Sequence, residues 1–232
     1  MINRRIVLAS RPAAEATLDN FRLEAVEPPA LEDGHVLVRN HWLSLDPYMR
    51  MRMNEGKSYA APQDLGAPMA GGTAGEVVES RHERFRPGDK VVGAGGWQEV
   101  AVFDARQPGV LRKVDDAVIP LAAYLGAVGM PGVTAWVGLT QIIQPQAGET
   151  VVVSAASGAV GSAVGQLAKA RGCRAVGIAG GADKCAYVLE TLGFDACIDY
   201  KAHRHFDALA AALDEAAPQG VDGNFENVGG MI

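Results

Sequence analysis

Between positions 151 and 184 the chain reads VVVSAASGAVGSAVGQLAKARGCRAVGIAGGADK, and its residue types are those of a nucleotide site. Ala156-x-Gly158-x-x-Gly161 is the dinucleotide fingerprint with alanine in place of the first glycine. Gly158 would let backbone approach a pyrophosphate and Gly161 would let a helix pack closely on a strand. The helix N-terminus, at Ala159 and Val160, would offer unpaired N–H groups and the positive end of a dipole. The same residues can make a merely tight strand-to-helix turn, but the context favours the nucleotide. Residues 151–153 are a β-branched run suited to a buried strand, and residues 158–170 carry small and apolar side chains at helical spacing.

The next strand end is informative for what it lacks. A site for NAD places Asp or Glu roughly 20 residues after the glycines, where it accepts hydrogen bonds from the ribose hydroxyls. Here that place reads Ile178-Ala179-Gly180-Gly181. No carboxylate stands there to repel a 2′-phosphate, the glycines leave room for one, and Lys184 follows to pair with it. This pattern predicts NADP, with an ordinary solvated helix lysine as the other reading of Lys184.

These residues need a frame, and the rest of the chain shows one. At 232 residues and 48% hydrophobic, the chain can bury the core of one large or two smaller domains. Residues 1–119 read as a mainly β module with strands near 5–9, 35–45, 74–79, 90–93 and 97–103 and a Pro87-Gly88-Asp89 turn. Residues 120–232 show helical spacing at 121–125 and 133–143, then strands at 151–154, 174–178, 196–200 and 221–226 separated by helices near Ala159, Asp183 and Phe206. Such alternation means a parallel sheet covered on both faces.

Composition removes other classes of function. The 21 basic and 27 acidic residues give a net charge of −6, without a basic patch or aromatic-basic interleaving, so nucleic acid is not an expected partner. No apolar run of about 18 residues and no secretory leader pattern is present, so no membrane partner is expected and the protein is read as soluble and cytoplasmic. Cys173, Cys185 and Cys197 are an odd number at wide spacing, against both a disulfide framework and a zinc knuckle.

Several stretches make a family resemblance specific. Leu43-Ser44-Leu45-Asp46-Pro47-Tyr48-Met49-Arg50, Met69-Ala70-Gly71-Gly72-Thr73, Gly129-Met130-Pro131-Gly132-Val133-Thr134-Ala135, Ala159-Val160-Gly161, Leu192-Gly193-Phe194-Asp195 and Glu226-Asn227-Val228-Gly229-Gly230 resemble the zinc-independent branch of the medium-chain dehydrogenases/reductases. Within it the chain is similar to the alkenal/one oxidoreductases, which include prostaglandin and curcumin reductases. The resemblance implies an α/β protein: a GroES-like β module followed by a Rossmann doubly wound parallel sheet, with NADPH as hydride donor to a carbon–carbon double bond conjugated to a carbonyl. It also implies a small-molecule enone as substrate and a homodimer for the full-length protein.

Position by position, the resemblance puts the glycine turn on Gly158, Ala159, Val160 and Gly161, and 2′-phosphate contacts on Lys184 and Tyr200, with Gly180 allowing close backbone approach. Asn227 falls near the cofactor ribose, and Met130 and Thr134 at the nicotinamide end. Tyr200 could instead be a strand-end aromatic packed on a helix, and Asn227 a turn residue. A zinc enzyme of the superfamily needs a cysteine near the 40s and a His-Glu pair in the next glycine-rich segment; this chain has Asp46 and Tyr48, then Ala70 and Gly71, and no cysteine before Cys173.

Without a Lewis acid, the reaction depends on placement and on a hydroxyl that stabilises enolate oxygen, worth about 3 kcal/mol when preorganised. Tyr48 is the candidate for that catalytic role, with a tyrosine that caps the β module as the alternative. Arg50 and Arg52 could steer an acidic substrate or be solvated arginines of a helix face. The family's members continue beyond the Asn-Val-Gly-Gly motif, so the chain as given is expected to be truncated. It would carry four of the six strands, in order 3-2-1-4, and lack a later tyrosine. A quinone reductase on the same scaffold and a non-catalytic NADP sensor are the remaining readings.

Overall fold

The computed structural model describes residues 1–56 and 60–230, which divide into two compact units, Met1–Leu125 and Gly126–Ile232. In the first unit, β1 (Asn3–Leu8) and β2 (Phe21–Val26) form an antiparallel pair. A five-stranded antiparallel sheet is built from β3 (His35–Leu43), β4 (Thr73–Ser80), β5 (Lys90–Gly93), β6 (Val100–Asp104) and β7 (Leu111–Lys113), in the order β6-β3-β4-β5-β7. Val36 and Val38 of β3, Val77 of β4, Val91 of β5 and Phe103 of β6 close on Phe85 to make its core. A second cluster joins Leu8, Met49, Met53 and Met69, with Met49 supplied by α1 (Tyr48–Arg52).

Two strand bounds change here and two strands are added. Residues 97–99 give their pairing to β1, where Ile6 N–H donates to Trp97 O at 2.8 Å and Glu99 N–H to Arg4 O at 3.0 Å, while Glu99 O still accepts the Asn40 N–H of β3 at 2.8 Å, and β6 starts at Val100. β3 stops at Leu43 because the next N–H, of Ser44, pairs with Gly72 O at 2.9 Å. β2 and β7 were not anticipated. β2 lies on the surface, with Leu23 66% exposed, and β7 has three residues, too few to show a period. The unit runs on to Leu125 because the 3-10 turn Leu121–Leu125 packs against β4 and β5.

The second unit follows the alternating pattern. α2 (Met130–Val137) continues as a wide π turn, Gly138–Ile143; then come β8 (Thr150–Val153), α3 (Ala159–Ala170), β9 (Arg174–Ala179), α4 (Ala182–Ala186) with a π turn at Tyr187–Thr191, β10 (Ala196–Asp199), α5 (Phe206–Ala216) and β11 (Gly223–Phe225). The four strands are parallel in the order β10-β9-β8-β11, the 3-2-1-4 order. Val151 and Val153 face one core with Val164, Ala168 and Phe194, while Val152 faces the other with Val176, Ile198 and Leu209. The two inner strands, β8 and β9, are thus buried on both faces, which is why they read as apolar runs. Among the described residues, no helix is long and apolar enough to cross a membrane.

Candidate functional site

Because the strands are parallel, the turns that follow them all open at one end of the sheet, the carboxyl edge where ligands of such folds sit. After β8 the chain turns at Ala155, a non-glycine residue with φ 45°, and its carbonyl accepts the Gly158 N–H at 2.8 Å. A Cβ on Gly161 would lie 2.3 Å from that same carbonyl oxygen, so α3 can sit on the turn only with glycine at this position. Gly158, in extended conformation, caps α3 with no side chain. Among the described residues the N–H groups of Ala159, Val160 and Gly161 have no acceptor, and they are the donors a helix N-terminus offers to an anion.

Phe194 locks this helix to the sheet. A Cβ on Gly165 of α3 would lie 1.8 Å from its ring, and one on Gly177 of β9 would lie 3.2 Å from it. The Leu192-Gly193-Phe194-Asp195 stretch is therefore a packing key whose contacts are two glycines far away in sequence. Asp195 ties the same junction: its carboxylate accepts from Lys169 Nζ at 2.6 Å and from the Ala175 N–H at 2.8 Å. Burial opposes ionisation there, but the bonds from Lys169 and Ala175 prevail and hold the carboxyl below the usual range.

At the ends of β9 and β10 a second turn forms a corner. The Tyr200 ring lies so close over Gly180 that a Cβ there would come within 2.8 Å of it. The close approach at Gly180 is thus to the tyrosine of the next strand, whereas the sequence suggested an approach of backbone to ligand. Gly181, with φ 106°, starts α4 and donates its N–H to Asp199 Oδ1 at 2.7 Å. Asp199 corrects the sequence argument: a carboxylate does stand at this corner, but on β10, and it is turned onto backbone. The Gly181 N–H above all, with the N–H and charge of Lys201, holds Asp199 below the usual carboxylate range. Lys184 on α4 is exposed and, among the described residues, has no carboxylate partner.

The end of β11 carries a polar knot on β8. Ser154, fully buried, accepts the Asn227 N–H at 2.7 Å and gives its hydroxyl to Glu226 Oε1 at 2.8 Å, while Asn227 Nδ2 donates to Ser154 O at 2.9 Å. Glu226 Oε1 also receives the N–H groups of Val228 and Gly229. Burial opposes the Glu226 charge, but the Gly229 and Val228 N–H groups and the Ser154 hydroxyl together keep its carboxyl below the ordinary value. With its amide nitrogen committed to Ser154, Asn227 keeps its oxygen as an acceptor. Ser154 and Asp199 carry no role in the sequence reading, and Phe194 and Glu226 enter it only as members of quoted stretches; each polar one sits at a strand's end.

Met130 and Thr134 lie on α2. Met130 is its first residue, 52% exposed. The exposed Thr134 donates its hydroxyl to Met130 O at 2.8 Å, which leaves that oxygen only as an acceptor. An open cleft of about 420 Å³ runs between the start of α2 and α3, lined by Gly132, Ala159, Ser162 and Gln166 among others.

In the first unit, Tyr48 is the first residue of α1, since the Met49 N–H already returns to Asp46 O at 3.1 Å. Its ring packs on the cluster of Leu8, Met49, Met53 and Met69 and borders an open cleft of about 630 Å³ together with Gly72, Gly93, Gly95 and Leu125. Arg50 binds Asn54 Oδ1 at 2.7 Å and Ala14 O, and Arg52 binds Ala61 O at 3.0 Å, so both arginines brace loops. Among the described residues no three His, Cys, Asp or Glu side chains are grouped as metal ligands.

A β module and an α/β unit whose four parallel strands end in a glycine turn, a Gly–Tyr corner and a polar knot define a dinucleotide-dependent oxidoreductase architecture. Residues 4–111 match the family described as "N-terminal domain of oxidoreductase", and residues 159–231 the family described as "Zinc-binding dehydrogenase". The chain belongs to the medium-chain dehydrogenases/reductases, in their zinc-independent branch. It is 48% identical over 230 residues to the NADPH-dependent curcumin reductase of Escherichia coli, covering 99% of this chain and 65% of that one. It is 43% identical over 215 residues to prostaglandin reductase 1 of Bos taurus, covering 92% of this chain and 62% of that one. Among solved structures, CurA of Vibrio vulnificus in complex with NADPH superposes with a TM-score of 0.89 at 46% identity, over 98% of this chain and 65% of that one. The chain thus spans less than two thirds of the length of these relatives.

Proposed function

We propose that the whole protein is an NADPH-dependent reductase of the carbon–carbon double bond in α,β-unsaturated ketones and aldehydes. The observation that carries the cofactor choice is the corner of Gly180, Tyr200 and Lys184, where the carboxylate of Asp199 is engaged with backbone and the lysine has no ionic partner among the described residues. Lys184 and Tyr200 would hold a 2′-phosphate, the first N–H groups of α3 the pyrophosphate, and Asn227, as an acceptor, a ribose hydroxyl. Met130 and Thr134 would border the nicotinamide. The residues present fit that group: unpaired main-chain donors begin α3 and an exposed lysine stands on α4, both suited to phosphate oxygens.

Held by these residues, the cofactor would supply the hydride that the β-carbon of the conjugated carbonyl accepts. Tyr48 would donate its hydroxyl to the carbonyl oxygen as enolate charge grows, and the α-carbon would take its proton from solvent. The identity to curcumin, alkenal and prostaglandin reductases supports this substrate class. For the whole protein, the family resemblance further supports a cytoplasmic homodimer, which light scattering on the full-length chain would check.

Two experiments test the reading. Lys184→Ala should weaken NADPH binding at least about tenfold, the worth of one charge-assisted contact, and leave NADH unchanged; equal affinities of the unsubstituted protein for the two nucleotides would sink it. With 4R-deuterated NADPH and a simple enone, the full-length protein should put deuterium on the β-carbon and yield the saturated ketone, and Tyr48→Phe should lower kcat about 100-fold. An allylic alcohol as product would mean carbonyl reduction instead.

A further inference from the structure

Behind the Gly180–Tyr200 corner lie two thiols to which the reaction gives no task. β10 pairs with β9 so that Ile198 stands beside Ile178 and Cys197 beside Gly177. The two isoleucines share the core under α5, which turns Cys197 to the opposite face. On that face a Cβ at Gly177 would meet Val188 at 2.9 Å, and Val188 lies about one helical turn after Cys185. Cys185 and Cys197, both half-buried, pack on the edge of the same core, on α4 and β10, which lie against each other. Sequence spacing alone gave no sign of this pair. Cys173 stands apart, 2% exposed, with its thiol donated to Gln146 O at 3.3 Å.

We propose that Cys185 and Cys197 are a redox-active dithiol, closed by an oxidant of the hydroperoxide class into a disulfide that ties α4 to β10 and loosens the hold on a 2′-phosphate. The Cys185 thiolate attacks one peroxide oxygen; the O–O bond breaks and the departing hydroxide takes up a proton as water. The Cys197 sulfur then displaces hydroxide from the Cys185 sulfenic acid and its own proton completes a second water. Two thiols and one hydrogen peroxide become one disulfide and two waters, with sulfur oxidised and peroxide reduced. Burial, and then the Cys185 sulfur, push the Cys197 thiol up, which disfavours its thiolate and leaves the first attack on peroxide to the other sulfur.

The link to nucleotide binding rests on the cofactor reading above. Lys184 directly precedes Cys185, and Asp199, two residues after Cys197, holds the Gly181 N–H at 2.7 Å. A disulfide needs the two sulfurs about 2.05 Å apart, so closing it would draw α4 against β10 and carry Lys184 with it.

Peptide mass mapping of the full chain after hydrogen peroxide and alkylation should show a Cys185–Cys197 cross-link, reversed by dithiothreitol, with Cys173 alkylated. In Cys197→Ser the oxidation should stop at a Cys185 sulfenic acid that dimedone traps. No cross-link in excess peroxide, overoxidation of Cys185 beside a free Cys197, or a bond to Cys173 would each overturn the dithiol. The cross-linked protein should bind NADPH about tenfold more weakly and NADH unchanged; unchanged NADPH affinity in cross-linked protein would overturn the coupling. If the reduced protein shows no preference for NADPH, the cofactor reading has failed, and the dithiol still stands or falls by mass alone.

Discussion

The turn after β8 and the turn after β9 open at the same edge of the same sheet, yet they are built by opposite means. The first is made by missing side chains: Gly161 clears the Ala155 carbonyl, and Gly165 with Gly177 admits the Phe194 ring. The second is made by side chains placed on glycines, with Tyr200 over Gly180 and Asp199 on the Gly181 N–H. The first should fail as packing fails, through loss of stability. The second should fail as an ion-recognition site fails, through loss of discrimination between nucleotides with little change in stability.

The sharpest way to break this contrast is Phe194→Ala. The ring is 5% exposed and fills the space two glycines leave, so its removal should cost about 3–5 kcal/mol in denaturant unfolding, the range for a buried phenylalanine. A cost under about 1 kcal/mol, that of an ordinary surface change, would show that α3 is held by something other than this key. Gly161→Ala comes next. Its new Cβ would press on backbone 2.3 Å away, which cannot rotate aside, so α3 must lift from the turn at about 1–3 kcal/mol. Nucleotide binding should fall for NADPH and NADH alike, in contrast to Lys184→Ala; selective loss of NADPH would merge the two turns into one.

The same contrast explains what was legible in the sequence. The Val151–Val153 run is local and forms β8, and the order of the four parallel strands, expected from the family resemblance, is the one found. The packing partner of Gly180 was not legible, because the residue that lies over it is Tyr200, on another strand. Asp199 was missed as the corner's carboxylate for the same reason: the rule looks at the end of the second strand, and the fold supplies the acid from the third. Phe194 stood in a recognised stretch, but nothing within the stretch names Gly165 or Gly177. In the β module, β2 and β7 pair at the margins with few buried residues, so hydrophobic period carried no signal there.

The polar knot at the end of β11 offers an intermediate case, charge used for structure. Glu226→Gln keeps an acceptor oxygen for Ser154 and the Val228 and Gly229 N–H groups but removes the charge. The difference between charged and neutral acceptors sets the expected loss at about 1 kcal/mol. Because the folded pKa lies below the unfolded value of about 4.3, this stabilisation is present above that value and is lost as pH falls through the lower folded one. Unfolding followed through that acid window should show the gap between the two proteins closing. A gap constant with pH would mean that the carboxylate's charge is not what fastens the knot.

The smallest expected effect comes from the one residue in the β8 turn that breaks the rule of missing side chains. Ala155 adopts φ 45°, where a Cβ costs roughly 1–2 kcal/mol, and the sequence shows alanine where glycine would sit without strain. Ala155→Gly relieves that strain in the folded state but frees the unfolded chain, which opposes by about 0.5–1 kcal/mol. The balance favours the variant by about 0.5 kcal/mol, a rise in Tm of roughly 1–2 °C for a protein of this size. Calorimetry on the two proteins checks it, with nucleotide affinity expected to stay level because the donors at Ala159, Val160 and Gly161 are main-chain groups that the change leaves in place. A fall in Tm would mean that the Ala155 methyl packs in the turn and holds its shape, and that this turn, like its neighbour after β9, is built partly by a side chain.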